Sequence, residues 1–135
     1  MSQQGVETAK AWTRAYNSRD FAALEALNDA DFEMRSVFAT LDSKVSFRAP
    51  DGFPGAYFES LHAAYESFQV VPDEWIDGGE TVIAVANAEW TGQRSGVEGR
   101  TPIWVVWWVK ADKVLREETF VEEAPALKAA GLDRC

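Results

Sequence analysis

Residues Ile103 to Val109 read Ile-Trp-Val-Val-Trp-Trp-Val, seven positions without a polar side chain. Successive strand residues point to opposite faces. Ile103, Val105, Trp107 and Val109 therefore share one side, and Trp104, Val106 and Trp108 the other. Both sides are too apolar to meet water, so this strand needs cover twice. Upstream, apolar residues recur at helical spacing. Val6, Ala9, Trp12, Thr13 and Tyr16 form a first amphipathic stripe. Asn17 to Asp20 interrupts it, and Asp20 is placed to cap a second helix bearing Phe21, Leu24 and Leu27. Short strands are expected from Asp31 to Val37 and from Lys44 to Arg48. Asp51-Gly52-Phe53-Pro54-Gly55 is turn chemistry leading into a third helix, whose stripe is Phe58, Leu61, Tyr65 and Phe68.

From Val70 onward the period becomes two. Strands are expected over Val70 to Asp77, Thr81 to Thr91, Arg100 to Lys110 and Lys113 to Glu122. Asp77-Gly78-Gly79-Glu80 turns the chain, and Ala111-Asp112 makes a tight hairpin. A loop through Gly92, Gly96 and Gly99 separates the two long central strands. Pro125 to Leu132 reads as a closing helix ended by Gly131. Helices first and a meander of long strands afterwards define an α+β domain, with helices on one face of a mainly antiparallel sheet.

The strand before the Trp-rich one carries Val82, Ala84, Ala86, Ala88 and Trp90 on one face. The alanines either admit a closely packed helix or leave a hollow, the usual setting of a small-molecule site. In the last strand Leu115, Glu117, Thr119 and Val121 share one face, and Val114, Arg116, Glu118 and Phe120 the other. Either choice buries a charge or exposes Phe120; Arg116 and Glu118 are placed to pair.

Composition narrows the function. At 135 residues the chain is expected to form one domain over 1–135, and 47% hydrophobic content fits a packed core. The net charge of −9, with no Lys/Arg cluster, argues against nucleic acid and anionic membrane surfaces. The lone Cys135 leaves no internal disulfide and no cysteine-based metal site. No signal-peptide or membrane-spanning pattern is present, so a cytoplasmic location is expected. The acidic pairs Glu117-Glu118 and Glu122-Glu123 lack His partners and read as solvated surface rather than a metal site. With no phosphate loop or nucleotide fingerprint either, any chemistry is expected to need no metal and no organic cofactor.

Several segments together resemble the SnoaL-like family of the nuclear transport factor 2-like superfamily over essentially the whole chain. They are Tyr16-Asn17-Ser18-Arg19-Asp20-Phe21 with Leu24 and Leu27, then Asp31-Phe32-Glu33-Met34-Arg35-Ser36. Glu74 to Val82, Arg94 to Glu98, Lys113-Val114 and Ala126 to Leu132 follow in order. The hairpin departs from the family in carrying Asp112 where relatives place Gly, which a left-handed Asp tolerates. The resemblance implies a cone: a curved, mainly antiparallel sheet around a cavity closed by three helices from the first half of the chain. It also implies a homodimer through the convex sheet face, here Trp104, Trp108 and Phe120. The fold hosts isomerases, cyclases, dehydratases, epoxide hydrolases and binders, so it does not decide the activity.

Inherited mechanisms can be tested residue by residue. Compared with ketosteroid isomerase relatives, which use a carboxylate base and a Tyr/protonated-Asp oxyanion hole, Trp12 stands at the Tyr, Ser36 at the base and Val105 at the second Asp. None can do the original work. Arg35 has no flanking strand carboxylates for epoxide hydrolysis and reads as an exposed partner of nearby Glu33 or another acid. The chain has one histidine where dehydratase-like chemistry uses two, and its last strands have none for a cyclase-like pair. Two catalytic candidates remain. Glu117, on the inner face of the last strand, would have a raised pKa and act as general base. His62, on the third helix beside Leu61, would act at the cavity mouth. Trp12, Tyr16, Ser36, Tyr65, Trp90, Val105 and Trp107 are the expected lining. The resulting expectation is a protein binding a small apolar molecule, with proton-transfer chemistry (isomerisation, cyclisation or hydration) if it is an enzyme. The alternative is a scaffold or interaction domain whose cone is filled by its own aromatics.

Overall fold

The computed structural model describes residues 2–36, 46–48 and 52–132. Among these the element order is α1 (Ser2–Ser18), α2 (Phe21–Leu27), β1 (Asn28–Arg35), β2 (Ser46–Arg48), an irregular helical turn over Gly52–Ala56, and α3 (Tyr57–Ala64). Then come β3 (Tyr65–Asp77), β4 (Thr81–Gly92), β5 (Glu98–Lys110), β6 (Lys113–Phe120) and α4 (Glu123–Ala129). Val37, Lys44, Val45, Asp51 and Cys135, which enter the sequence reading, lie outside the described residues. The six strands form one curved, open sheet in the order β2-β1-β6-β5-β4-β3. Every neighbouring pair is antiparallel except β1 and β6, which run parallel, so the sheet is mixed. The first three helices pack with the concave face around the main core, as expected of the cone.

Short-range chemistry sets the helical frame. Arg19 takes a left-handed φ of 58° at the end of α1, and the Asp20 carboxylate accepts from the Ala23 N–H at 3.1 Å, capping α2. The Asn17 side chain brackets Val70 of β3, donating to its carbonyl at 2.9 Å and accepting from its N–H at 3.0 Å. Arg19 adds hydrogen bonds to the carbonyls of Tyr16 and Phe68, both 2.7 Å. The Asn-Ser-Arg-Asp break thus also fixes α1 against the edge strand. Trp12 donates its indole N–H to Asn28 Oδ1 at 2.8 Å inside the core, tying α1 to the start of β1.

Three changes to the sequence expectations bear on the site and its strands. The third helix ends at Ala64 instead of continuing to Phe68. Tyr65 already pairs with Gly92, and a register shift between Tyr65 and Ser67 inserts one extra residue in β3. A bulged strand brings Tyr65 and Phe68 together three residues apart (ring centroids 5.1 Å), which imitates helical spacing. The second change is in β6. Trp108 pairs with Arg116 but Val109 with Val114, so Leu115 is the extra residue of a bulge. Val114 therefore turns into the main core, fully buried, instead of sharing the outer face with Arg116. Third, the left-handed residue of the β5–β6 hairpin is Ala111, at φ 57°, not Asp112.

The Trp-rich strand is covered twice. Ile103, Val105, Trp107 and Val109 join the main core, while Val106 lies in a second cluster with Ile83, Ala126 and Ala130. Trp104, Trp108 and Phe120 pack on that second cluster and are half-buried. The closing helix α4 lies there, with Gly131 at φ 78° just beyond its end. Some of the cover that the sequence reading assigned to a second subunit thus comes from the chain's own α4. On the same face Arg116 binds Glu118 at 2.8 Å and lies 4.4 Å from the Trp108 ring centroid.

Candidate functional site

The concave face is dominated by aromatic rings. Trp12 stacks on Tyr16 (5.5 Å, 22°) and on Phe53 (5.8 Å, 10°), and meets Trp107 nearly edge-on (6.1 Å, 71°). Trp107 in turn stacks on Trp75 (5.5 Å, 29°). Ala84, Ala86 and Ala88 belong to the same packed cluster. The hollow entertained above those alanines is therefore filled: their small size admits bulky neighbours.

Within this packing lies a small void. It is lined by Trp12, Thr13 and Tyr16 of α1, Val70 of β3, Val105 and Trp107 of β5, and Glu117 of β6. The space open to the centre of a water molecule is about 10 Å³, close to the minimum for one water. Glu117 is 3% exposed, and its Oε1 has no hydrogen-bond partner among the described residues. The β6 bulge explains how an acid comes to face inward. It restores the alternation so that Glu117 lies opposite Trp107, while Arg116 and Glu118 take the outer face.

Burial pushes the Glu117 carboxyl well above the ordinary glutamate value of 4.5, and the nearby Glu118 charge adds to the shift. Beside it the Tyr16 and Tyr57 hydroxyls share a hydrogen bond of 2.5 Å, and Ser36, itself buried, bonds Tyr57. Both phenols are pushed up, first by burial; Tyr57 and Glu117 add to the rise at Tyr16. The interior thus favours neutral O–H groups over anions. It can present hydrogen-bond donors to a substrate oxygen, and among the described residues Glu117 and the two phenols are the groups there that can give up or take a proton. No cluster of three or more potential metal ligands occurs among the described residues.

The structure brings together Trp12, Tyr16, Val105, Trp107 and Glu117, five of the nine residues named from sequence as catalytic or lining. Ser36 reaches the group through Tyr57. The other three lie elsewhere. His62 is exposed on α3 and lines a separate depression of about 250 Å³ with Arg19, Leu61, Tyr65 and Glu66. Tyr65 is there because α3 stops before it. Trp90 lies against Gly99, its register partner, packs on the main core, and lines a separate groove with Ser67, Gln69 and Glu89. Sequence reading missed Thr13 and Val70, which line the void, and Tyr57, which bonds Tyr16 beside it. The signal for Tyr57 was present: Tyr57 stands one helical turn before Leu61, and both are 1% exposed. The exposed reading of Arg35 holds, with its side chain 3.6 Å from Glu33.

A curved, mixed sheet wrapped on three helices is the architecture of the nuclear transport factor 2-like proteins. The SnoaL-like domain model matches residues 9–117, and the chain belongs to that family. No match was found among curated protein sequences. Among solved structures, a nuclear transport factor 2-like protein from Burkholderia thailandensis E264 is 22% identical, with a TM-score of 0.75 over 97% of this chain and 98% of that one. TerC, co-crystallised with polyporic acid, is 14% identical with a TM-score of 0.77, covering 95% and 98%. IdmH, a proposed polyketide cyclase from Streptomyces antibioticus, is 15% identical with a TM-score of 0.72, covering 95% and 99%. At these identities the likeness establishes the fold alone. Among the described residues, no helix is long and apolar enough to cross a membrane.

Proposed function

We propose that the interior of the cone is a proton-transfer site for a small, largely apolar carbonyl compound, with Glu117 moving the proton. One observation carries this reading: a carboxyl 3% exposed among aromatic rings, with an oxygen lacking any partner among the described residues. A carboxyl serving only the fold is normally solvated or paired, because burial without a partner is destabilising. Perturbed acids in apolar surroundings are instead typical of working sites. Burial that holds the proton on Glu117 makes it a donor to a ketone oxygen. The same shift makes its carboxylate, once formed, a stronger base toward a C–H beside a carbonyl. Isomerisation and cyclisation both combine these two acts, and hydration uses the first. The void holds about one water as folded, so a substrate must displace the Trp12, Tyr16 or Trp107 side chains to enter. The likeness to TerC and IdmH supports searching among oxygenated ring compounds.

The size of the void favours a second reading, a scaffold whose cone is filled by its own aromatics. One experiment separates the two. Wild type and Glu117→Gln are incubated in D2O with cyclic ketones and polyketide-like phenols, and deuterium uptake or conversion is followed by mass spectrometry. The expected result is turnover by wild type that falls about 10²- to 10⁴-fold in the variant, the usual contribution of a positioned acid or base. Equal rates would remove Glu117 from the mechanism. Absence of turnover, with no small molecule retained in native mass spectrometry of the purified protein, would favour the scaffold.

The same reading includes a homodimer. Trp104, Trp108 and Phe120 remain half-buried after α4 has docked, which leaves apolar surface for a second copy of this face. Sedimentation at micromolar concentration is expected to give a dimer, and a monomer there contradicts it.

A further inference from the structure

Trp107 and Glu117 are direct register partners on adjacent antiparallel strands, and both line the interior void. Directly opposed residues on one face hold their Cβ atoms about 4.5–5.5 Å apart. Trp107 is 1% exposed and Glu117 3%, and each has a buried polar atom without a partner among the described residues: Trp107 Nε1 and Glu117 Oε1. The indole N–H can only donate, whereas a carboxyl oxygen can accept. A direct bond would satisfy both atoms, yet none forms. The ring is held in place by its stack on Trp75 and its edge contact with Trp12, so the indole is not free to swing toward the acid.

We infer that Trp107 and Glu117 together form a subsite for one neutral oxygen atom, filled by an internal water in the free protein and by a carbonyl or hydroxyl oxygen of the bound ligand. The second half rests on the proposed function; the first does not. An oxygen is the atom that meets both demands, since it accepts from the indole and exchanges a hydrogen bond with the carboxyl. A cation would face the positive end of the N–H dipole, and an alkyl group would leave both partners unmatched. The void is also of the right size, about 10 Å³. For a ligand this fixes orientation: its oxygen points between β5 and β6, and its apolar body lies toward Trp12 and Tyr16.

Water-to-protein NOE and ROE measurements on the ¹⁵N-labelled full chain test the subsite, with the Trp107 indole resonance assigned from its loss in Trp107→Phe. The expected result is a cross-peak between that N–H and water in wild type, kept in Glu117→Gln, whose amide retains the hydrogen-bonding capacity, and lost in Glu117→Leu. No cross-peak in wild type, or an undiminished one in Glu117→Leu, overturns the water site. For the ligand half the probes are cyclohexanone and methylcyclohexane at equal concentration. Cyclohexanone is expected to remove the water cross-peak and shift the indole resonance, and methylcyclohexane to do neither. No effect of cyclohexanone, or equal effects of both, overturns the ligand half. Should Glu117→Gln turn over like wild type, the proposed chemistry falls while a persisting water cross-peak keeps the subsite.

Discussion

Trp12→Ala is expected to cost about 3–5 kcal/mol of folding stability, the range for deleting a fully buried large aromatic. That is a large part of the roughly 5–15 kcal/mol that holds a domain together. Trp12 is 2% exposed and touches Tyr16, Phe32, Phe53 and Trp107, so its loss removes the ring around which α1 and the sheet pack. It also strips Asn28 Oδ1 of its donor. Trp12→Phe helps to separate the two contributions, because it keeps most of the ring volume while losing the hydrogen bond to Asn28. Urea titration of both variants checks this. A loss below about 2 kcal/mol in the alanine variant would mean that the cone collapses easily around the gap.

The opposite sign is expected at Glu117. Glu117→Leu should stabilise the protein at neutral pH by about 1–3 kcal/mol, because it removes a buried polar group without a partner and adds apolar volume beside a void. The pH dependence follows from the direction of the shift. Glu117 holds its proton more tightly folded than unfolded. Its contribution is therefore fully present below the ordinary carboxyl value of about 4.3, and it is lost as pH rises through the raised folded value. The advantage of the leucine variant should accordingly widen from about pH 4 upward. Thermal unfolding of both proteins across that range reads the effect directly. A leucine variant that is less stable at every pH would show that Glu117 serves the fold. A site residue that weakens its own scaffold is a common trade between stability and activity.

Much of the fold was legible because its signals are local and periodic. The stripe Val6, Ala9, Trp12, Thr13, Tyr16 gave α1, the Asp20 cap gave the start of α2, and strict alternation in β4 and β5 gave the two sheet faces. Placing Glu117 inward also followed from alternation, despite the cost of burying it. The misread end of the third helix and the misread facing of Val114 share one cause. One-residue insertions at Glu66 and Leu115 break the period of two, and nothing in the flanking residues announces them. The first made a strand look like helix, and the second turned Val114 inward. The placement of α4 on the convex face is a tertiary fact that its amphipathic pattern cannot specify. The filled interior lay beyond sequence for a related reason. Ala84, Ala86 and Ala88 announce space, but only the packed rings decide whether that space belongs to a ligand or to Trp12 and its neighbours. Tyr57 was missed because the apparent stripe, drawn one residue late, began at Phe58.

Glu117 as an enclosed acid that keeps its proton is the central claim, and its side-chain carboxyl titration tests it most directly. Carbon-13 resonances of the glutamate carboxyls, followed against pH in wild type and assigned for Glu117 by difference from Glu117→Gln, should show one group titrating well above the other glutamates. A Glu117 resonance that moves with them, near about 4.3, would contradict the buried acid and the proton-transfer site built on it.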